Sequence, residues 1–288
     1  MGGYCRSCGP QVQKDLGHPP QADPAANKTI ISGGGDKQAL LSIDDDVTTL
    51  VNGFYISDGW AEGWLERGGG VYLENSNAIF VNCVFENNDA FYVGAAAANY
   101  GGGSPQFVNC IFRNNGGVES LTGRKAGPPV TFTGAPLSFT GPFGGGAIAN
   151  DEGNPVFTNC LFHGNRAAEG GAILNLMDGT VTLINCTIAD NEATFKKGGA
   201  IFDGSGTAVV RNCILWNNAS PVVETKEIYN DRSEGSPAGT TDVMDSVVTG
   251  YWTGNGNLDV DPQLVNPAAG DYRLDRNSPI LDRGWKPE

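Results

Sequence analysis

Histidine is nearly absent from the 288 residues, at two copies, and Lys plus Arg reach only 18 against 32 Asp plus Glu. With so few histidines a Ser-His-Asp triad is poorly served: His18 lies in a Pro-rich lead, and alternation makes His163 an exposed surface residue. The formal charge of -14 argues against nucleic acid and anionic lipid, which would repel this surface. No apolar run reaches 18 residues, so no membrane insertion is expected. Met1 to Pro20 holds two cysteines and three prolines but no apolar stretch of the signal-peptide kind. No window keeps the i, i+3, i+4, i+7 spacing of an amphipathic helix over three turns. Cys5 and Cys8 form a C-x-x-C without a second pair downstream, which argues against zinc.

What the chain has in abundance is glycine, 42 residues or roughly twice the usual share, together with an internal repeat. Phe80-Val81-Asn82-Cys83-Val84-Phe85-Glu86-Asn87-Asn88 returns as Phe107–Asn115, Phe157–Asn165, Leu183–Asn191 and Val210–Asn218. The five cysteines, Cys83, Cys110, Cys160, Cys186 and Cys213, are separated by 27, 50, 26 and 27 residues. The long interval is one period plus an insertion within 116–144. A second motif runs in phase: Gly145-Gly146-Ala147-Ile148, Gly170-Gly171-Ala172-Ile173 and Gly198-Gly199-Ala200-Ile201, with degenerate copies at Gly69-Gly70-Val71-Tyr72 and Gly94-Ala95-Ala96-Ala97.

Strands this short cannot bury a face alone, so the copies must stack. Stacking in phase sets like residues about 4.8 Å apart on parallel strands, and such crossings are right-handed. The fold class is therefore all-β: a right-handed parallel β-helix, a solenoid of six to seven rungs between Thr29 and Leu281. Residues 1–27 read as an irregular lead that caps the first rung, 28–284 as a single domain, and 285–288 as a tail. Asn52-Gly53-Phe54 takes the Asn-Cys place in the first full rung and Asp245-Ser246 in the last. The cysteines form one column of buried free thiols. Asn82, Asn109, Asn159, Asn185 and Asn212 bond amide to amide beside them. Tyr72, Ala97, Ile148, Ile173 and Ile201 point inward; Leu73, Ala98, Ala149, Leu174 and Phe202 form an outward apolar strip. At its end Glu74, Asn99, Asn150, Asn175 and Asp203 make a turn ladder or a row of hydrogen-bonding groups along a groove.

Phe85–Asn88, Phe112–Asn115 and Phe162–Asn165 fit F-x-x-N, and the Gly-Gly-Ala-Ile tetrads fit G-G-A-I. These resemble the repeats of chlamydial polymorphic outer-membrane proteins and related bacterial β-helix surface proteins, within a pectate-lyase-like superfamily. Asp261-Pro262-Gln263-Leu264, Gly270-Asp271-Tyr272-Arg273-Leu274 and Ser278-Pro279-Ile280-Leu281-Asp282 resemble the C-terminal end of secreted bacterial β-helix repeat proteins. The resemblance implies the fold and a secreted or cell-surface location. It does not single out an activity, since such proteins include lyases, binding modules and adhesins.

Loop irregularity falls on one edge, between F-x-x-N and the next Gly-Gly strand. There Trp60, Trp64, Phe91, Tyr92, Phe195 and, just before, Trp216 offer flat apolar faces suited to sugar rings. A cleft roughly 30 Å long suits an extended glycan, so the expected function is a polysaccharide-binding module, either a monomer or part of a larger protein. A lyase or glycoside hydrolase is the catalytic alternative. Its candidates are Glu169 and Glu192 as a carboxylate pair, and Arg166, Lys196 and Lys197 as base or charge neutraliser. A surface adhesin or spacer is the third reading. Calcium is the one cofactor considered, on the run Asn255, Asn257, Asp259 and Asp261 or the triplet Asp44-Asp45-Asp46; the run lacks the distal Glu of a helix-loop-helix site.

Overall fold

The structure, a computed structural model, describes residues 28–35, 37–43, 49–62, 67–116, 131–132, 135–136, 144–195, 197–222, 227–231 and 238–281. The chain coils through three parallel sheets in turn, each visit one rung above the last. Sheet A has eight strands: Thr29–Ser32, Phe54–Ser57, Val84–Glu86, Ile111–Arg113, Leu161–His163, Thr187–Ala189, Ile214–Trp216 and Val247–Val248. Sheets B and C have seven each, B running from Leu40–Ile43 to Ile228–Asn230 and C from Leu50–Asn52 to Thr240–Met244. This is the right-handed parallel β-helix that the repeat predicts. Beyond the coil, Leu264–Asn266, a one-turn 3-10 segment Pro267–Ala269 and Asp271–Leu274 form an antiparallel hairpin. Among the described residues no helix is long and apolar enough to cross a membrane.

The interior is columnar, as in-phase stacking requires. Phe80, Phe107 and Phe157 of sheet C lie in register, with ring centroids 5.1 and 4.9 Å apart. Phe85, Phe112 and Phe162 of sheet A stack at 4.6 and 4.7 Å. The two stacks meet edge-on at 5.4 to 6.0 Å, an arrangement aromatic quadrupoles favour. The five cysteines form the predicted column, all buried and free. Each Sγ approaches backbone carbonyls of its own rung and the one before, as Cys160 does Phe107 at 3.3 Å. Burial pushes the thiols of Cys110, Cys160, Cys186 and Cys213 up, away from the reactive thiolate.

Asparagine makes the corners. From C to A the turn residue is left-handed, with φ of 51° to 75° at Gly53, Asn82, Asn109, Asn159, Asn185, Asn212 and Asp245, a conformation Asn tolerates through its short polar side chain. Gly53, not Asn52, thus holds the turn in the first rung, and Phe54 stands in the cysteine's place, one residue from the predicted alignment. The exposed amides link rungs as expected: Asn109 Nδ2 donates to Asn82 Oδ1 at 3.3 Å and Asn212 Nδ2 to Asn185 Oδ1 at 2.7 Å.

A second ladder, not foreseen as one, closes the A-to-B corner. Asn88, Asn115, Asn165, Asn191 and Asn218 end each repeat and are buried. Asn165 Nδ2 donates to Asn191 Oδ1 at 2.8 Å and to the Phe112 carbonyl at 2.9 Å, while its Oδ1 accepts from the backbone and amide of Asn115. Asn115 and Asn191 repeat this pattern, and Asn218 donates to the buried Glu227 at 2.6 Å. Because each amide-to-amide bond donates towards the C-terminal end, the last amide, Asn218, needs a group that accepts, which the Glu227 carboxylate supplies.

Asn165→Ala is expected to cost about 3 kcal/mol, since it strands several buried groups at once, and Asn109→Ala at the exposed corner about 1 kcal/mol. Urea unfolding followed by circular dichroism checks the ranking. With Cys5 and Cys8 replaced by Ser, no thiol should react quickly with a colorimetric thiol reagent in native buffer and all five should in denaturant. Several fast native thiols would contradict the buried column.

Candidate functional site

The short strands of sheet A are bracketed by left-handed turns, so their middle residue points inward and the flanking residues point outward. The outward residue after each inward aromatic or aliphatic one is the variable slot of the repeat. In register it reads Ser57, Glu86, Arg113, His163, Ala189 and Trp216. Beside it runs the second left-handed column, Asn87, Asn114, Gly164, Asp190 and Asn217. The C-terminal hairpin lies opposite, and a groove of about 730 Å³ opens between them.

Four interactions fix its chemistry. Arg113 pairs with Glu86 one rung away, its Nε 2.8 Å from Glu86 Oε2. The His163 ring packs against the Tyr272 ring at 4.7 Å. The Tyr272 hydroxyl donates to Asp190 Oδ2 at 2.8 Å, and Asn217 Nδ2 donates to Asp190 Oδ1 at 2.6 Å. Burial, with the Arg113 charge second, pushes His163 down to about 4, so it is neutral at pH 7. Burial and the Asp190 acceptor push the Tyr272 hydroxyl up, which keeps it protonated. His163 is therefore half-covered by the hairpin and not the exposed residue that alternation alone implies.

The predicted edge fares differently residue by residue. Trp60, Phe91 and Tyr92 are half-buried at the A-to-B corner, where Trp60 pairs with Asp89 on a short ladder. Phe195 is 41% exposed, and Trp216 lies on sheet A, in the column of His163. Trp64, Lys196 and Asp44-Asp45-Asp46 lie outside the described residues, as do the lead 1–27 and the tail 285–288. Arg166 and Glu192 face each other on adjacent rungs as a 3.1 Å ion pair, so the residue in register with Glu192 is Arg166 and not Glu169. Glu169 bridges Gly144 through its backbone. Lys197 sits 4.1 Å from the Tyr229 ring centroid, a cation–π contact. Asn257, Asp259 and Asp261 each accept a nearby backbone N–H, from Ser246, Gly250 and Gln263, and Asn255 is exposed. Among the described residues no three His, Cys, Asp or Glu come together as a metal site.

The row Glu74, Asn99, Asn150, Asn175 and Asp203 needs correction. Tyr100, not Asn99, pairs with Glu74, because Gly68 and not Gly69 takes the left-handed place shared by Gly94, Gly145, Gly170 and Gly198. A one-residue slip exchanges the faces of a strand, so Leu73 is buried inside and Tyr72 points out, donating to Glu74 at 3.1 Å. Asn99, Asn150, Asn175 and Asp203 are themselves buried, linked amide to carbonyl at 2.8, 2.8 and 3.0 Å as the ladder of the B-to-C corner. No row of exposed hydrogen-bonding groups exists there. The strip Ala98, Ala149, Leu174 and Phe202 is likewise covered, at 2 to 5% exposure.

A family model for the right handed beta helix region matches residues 130–236. No curated protein and no solved structure matches the chain. Repeat, coil and family model together define a parallel β-helix repeat protein.

Asp203 ends its ladder with Oδ2 lacking a hydrogen-bond partner among the described residues. Burial lifts its carboxyl to about 6, against the hydrogen bond from Asn175 and those from backbone amides. A carboxyl raised on folding stabilises fully below about pH 4, and that contribution is lost as pH rises through about 6. Asp203→Asn, which restores the ladder's own residue, should therefore stabilise the fold at pH 7 by on the order of 2 kcal/mol and change little at pH 4. Thermal melts at the two pH values check this, and destabilisation at pH 7 would contradict it.

Proposed function

We propose that this protein binds an extended polysaccharide along the outer face of sheet A, in the groove walled by the C-terminal hairpin. The observation that carries the reading is the in-register run Glu86, Arg113 and His163 lining one groove, with His163 against the Tyr272 ring. Side chains repeating at about 4.8 Å along a straight axis favour a long, regular ligand over a compact one. Ring faces beside carboxylates and side-chain amides suit sugars, which present apolar faces and rims of hydroxyls. The volume is in the range of well-formed ligand sites. Both groove carboxylates are already engaged, Glu86 by Arg113 and Asp190 by Tyr272 and Asn217, which favours holding a chain over cutting it. We place this activity outside the cell, in keeping with the likeness of the repeats to those of secreted bacterial proteins.

Affinity gel electrophoresis on xylan, mixed-linkage β-glucan and pectin tests the reading. At least one polymer should retard the protein, and His163→Ala or Tyr272→Ala should weaken binding about tenfold or more, some 1.4 kcal/mol. Binding lost on Trp60→Ala but untouched by His163→Ala would move the site to the A-to-B corner. No retention by any polymer would remove the proposal.

A further inference from the structure

We propose that the groove on sheet A selects an uncharged glycan and rejects polyuronates, with the Glu86–Arg113 pair as the selecting device. This rests on the polysaccharide reading and names its substrate class. A polyuronate carries a carboxylate on every sugar, so a groove that holds one must meet it with cations that are free to pair. Among the described residues this groove has one guanidinium on its floor, that of Arg113. Arg113 turns both Nε and Nη2 onto a single Glu86 oxygen, so its charge is already balanced. The next position along the strand column, His163, is pushed down to about 4 by burial and by Arg113 itself and brings no charge at neutral pH. From the turn column Asp190 adds a carboxylate, held by Tyr272 and Asn217. On the hairpin, Arg273 lies outside the groove lining and is bonded to Asp271 at 2.8 and 2.6 Å. Among the described residues that line the groove, Glu86 and Asp190 thus stand against Arg113, a net charge of -1 in a chain of -14. A polyanion would meet repulsion both from the molecule and inside the groove.

An uncharged chain meets the opposite situation. Carboxylate oxygens of Glu86 and Asp190 accept from sugar hydroxyls, side-chain amides beside them donate, and the His163–Tyr272 pair supplies a ring surface. None of these contacts requires breaking the Glu86–Arg113 bond. A uronate would have to compete with Glu86 for the same guanidinium.

The test compares the intact protein with the double variant Glu86→Gln/Asp190→Asn, which moves the groove from -1 to +1. The second change is compatible with the fold, because asparagine already takes the same left-handed turn at Asn87, Asn114 and Asn217. In affinity gels at pH 7.5 and low salt, the unaltered protein should be retarded by unsubstituted xylan or mixed-linkage β-glucan and pass polygalacturonate unhindered. The double variant should gain retention on polygalacturonate, with affinity at least about tenfold above the parent and abolished by about 0.5 M salt. Retention of the unaltered protein by polygalacturonate, as strong as by the uncharged polymers, would overturn the inference while leaving polysaccharide binding intact. So would a double variant that gains nothing. If the unaltered protein is held by none of the polymers, the polysaccharide reading itself falls.

Discussion

The fold depends on satisfying backbone polar groups where a coiled chain turns inside its own wall. Strand edges pair rung to rung, but each bend leaves N–H and C=O groups pointing where no regular partner exists, and a buried orphan costs about 1 to 3 kcal/mol. Here side-chain amides fill that role. Asn115, for example, donates to the carbonyl of Phe85 below and to Asn165 above, while Asn165 Oδ1 accepts from the Asn115 backbone. An amide, with two donors and one carbonyl, suits a position that must look up and down at once. Once these ladders fix the bends, the residues between them have no freedom of register, and the phenylalanine stacks and the thiol column follow.

The ladders also give the coil polarity. At the A-to-B and B-to-C corners the amides donate towards the C-terminal end, and both series finish on acids, Glu227 and Asp203. The exposed C-to-A ladder runs the other way, from Asn212 to Asn185 and from Asn109 to Asn82. The rigidity this imposes leaves outward slots such as Glu86, Arg113 and His163 free to vary without disturbing the coil. A solenoid of this kind separates the residues that make it stand from those that a ligand would meet.

Much of this was legible in the repeat. The Asn-Cys pairs located the C-to-A corner in every copy from Cys83 onward, and their equal spacing left only in-phase stacking. The misreading at Gly68-Gly69-Gly70 has a plain cause: three consecutive glycines offer no side chain to mark which one takes positive φ, and a single step reverses the faces of Val71–Glu74. The buried ladder of Asn88, Asn115 and Asn165 was visible as the last letter of F-x-x-N, yet alternation could not foretell that a polar residue beyond a left-handed turn would point back into the core. Glu86, Arg113 and His163 of the groove also stood in the sequence as the variable letter after Phe85, Phe112 and Phe162. Nothing marked that letter as a site until a wall was set against it.

The sequence by itself determined the coil, its rung spacing and its columns, because near-identical segments at a fixed interval reach mutual burial only by lying directly above one another. Only the tertiary structure decided where a cleft forms. Tyr272 follows His163 by 109 residues and belongs to no repeat, so its docking there is set by how the final hairpin folds back on sheet A, and no periodic signal encodes that contact.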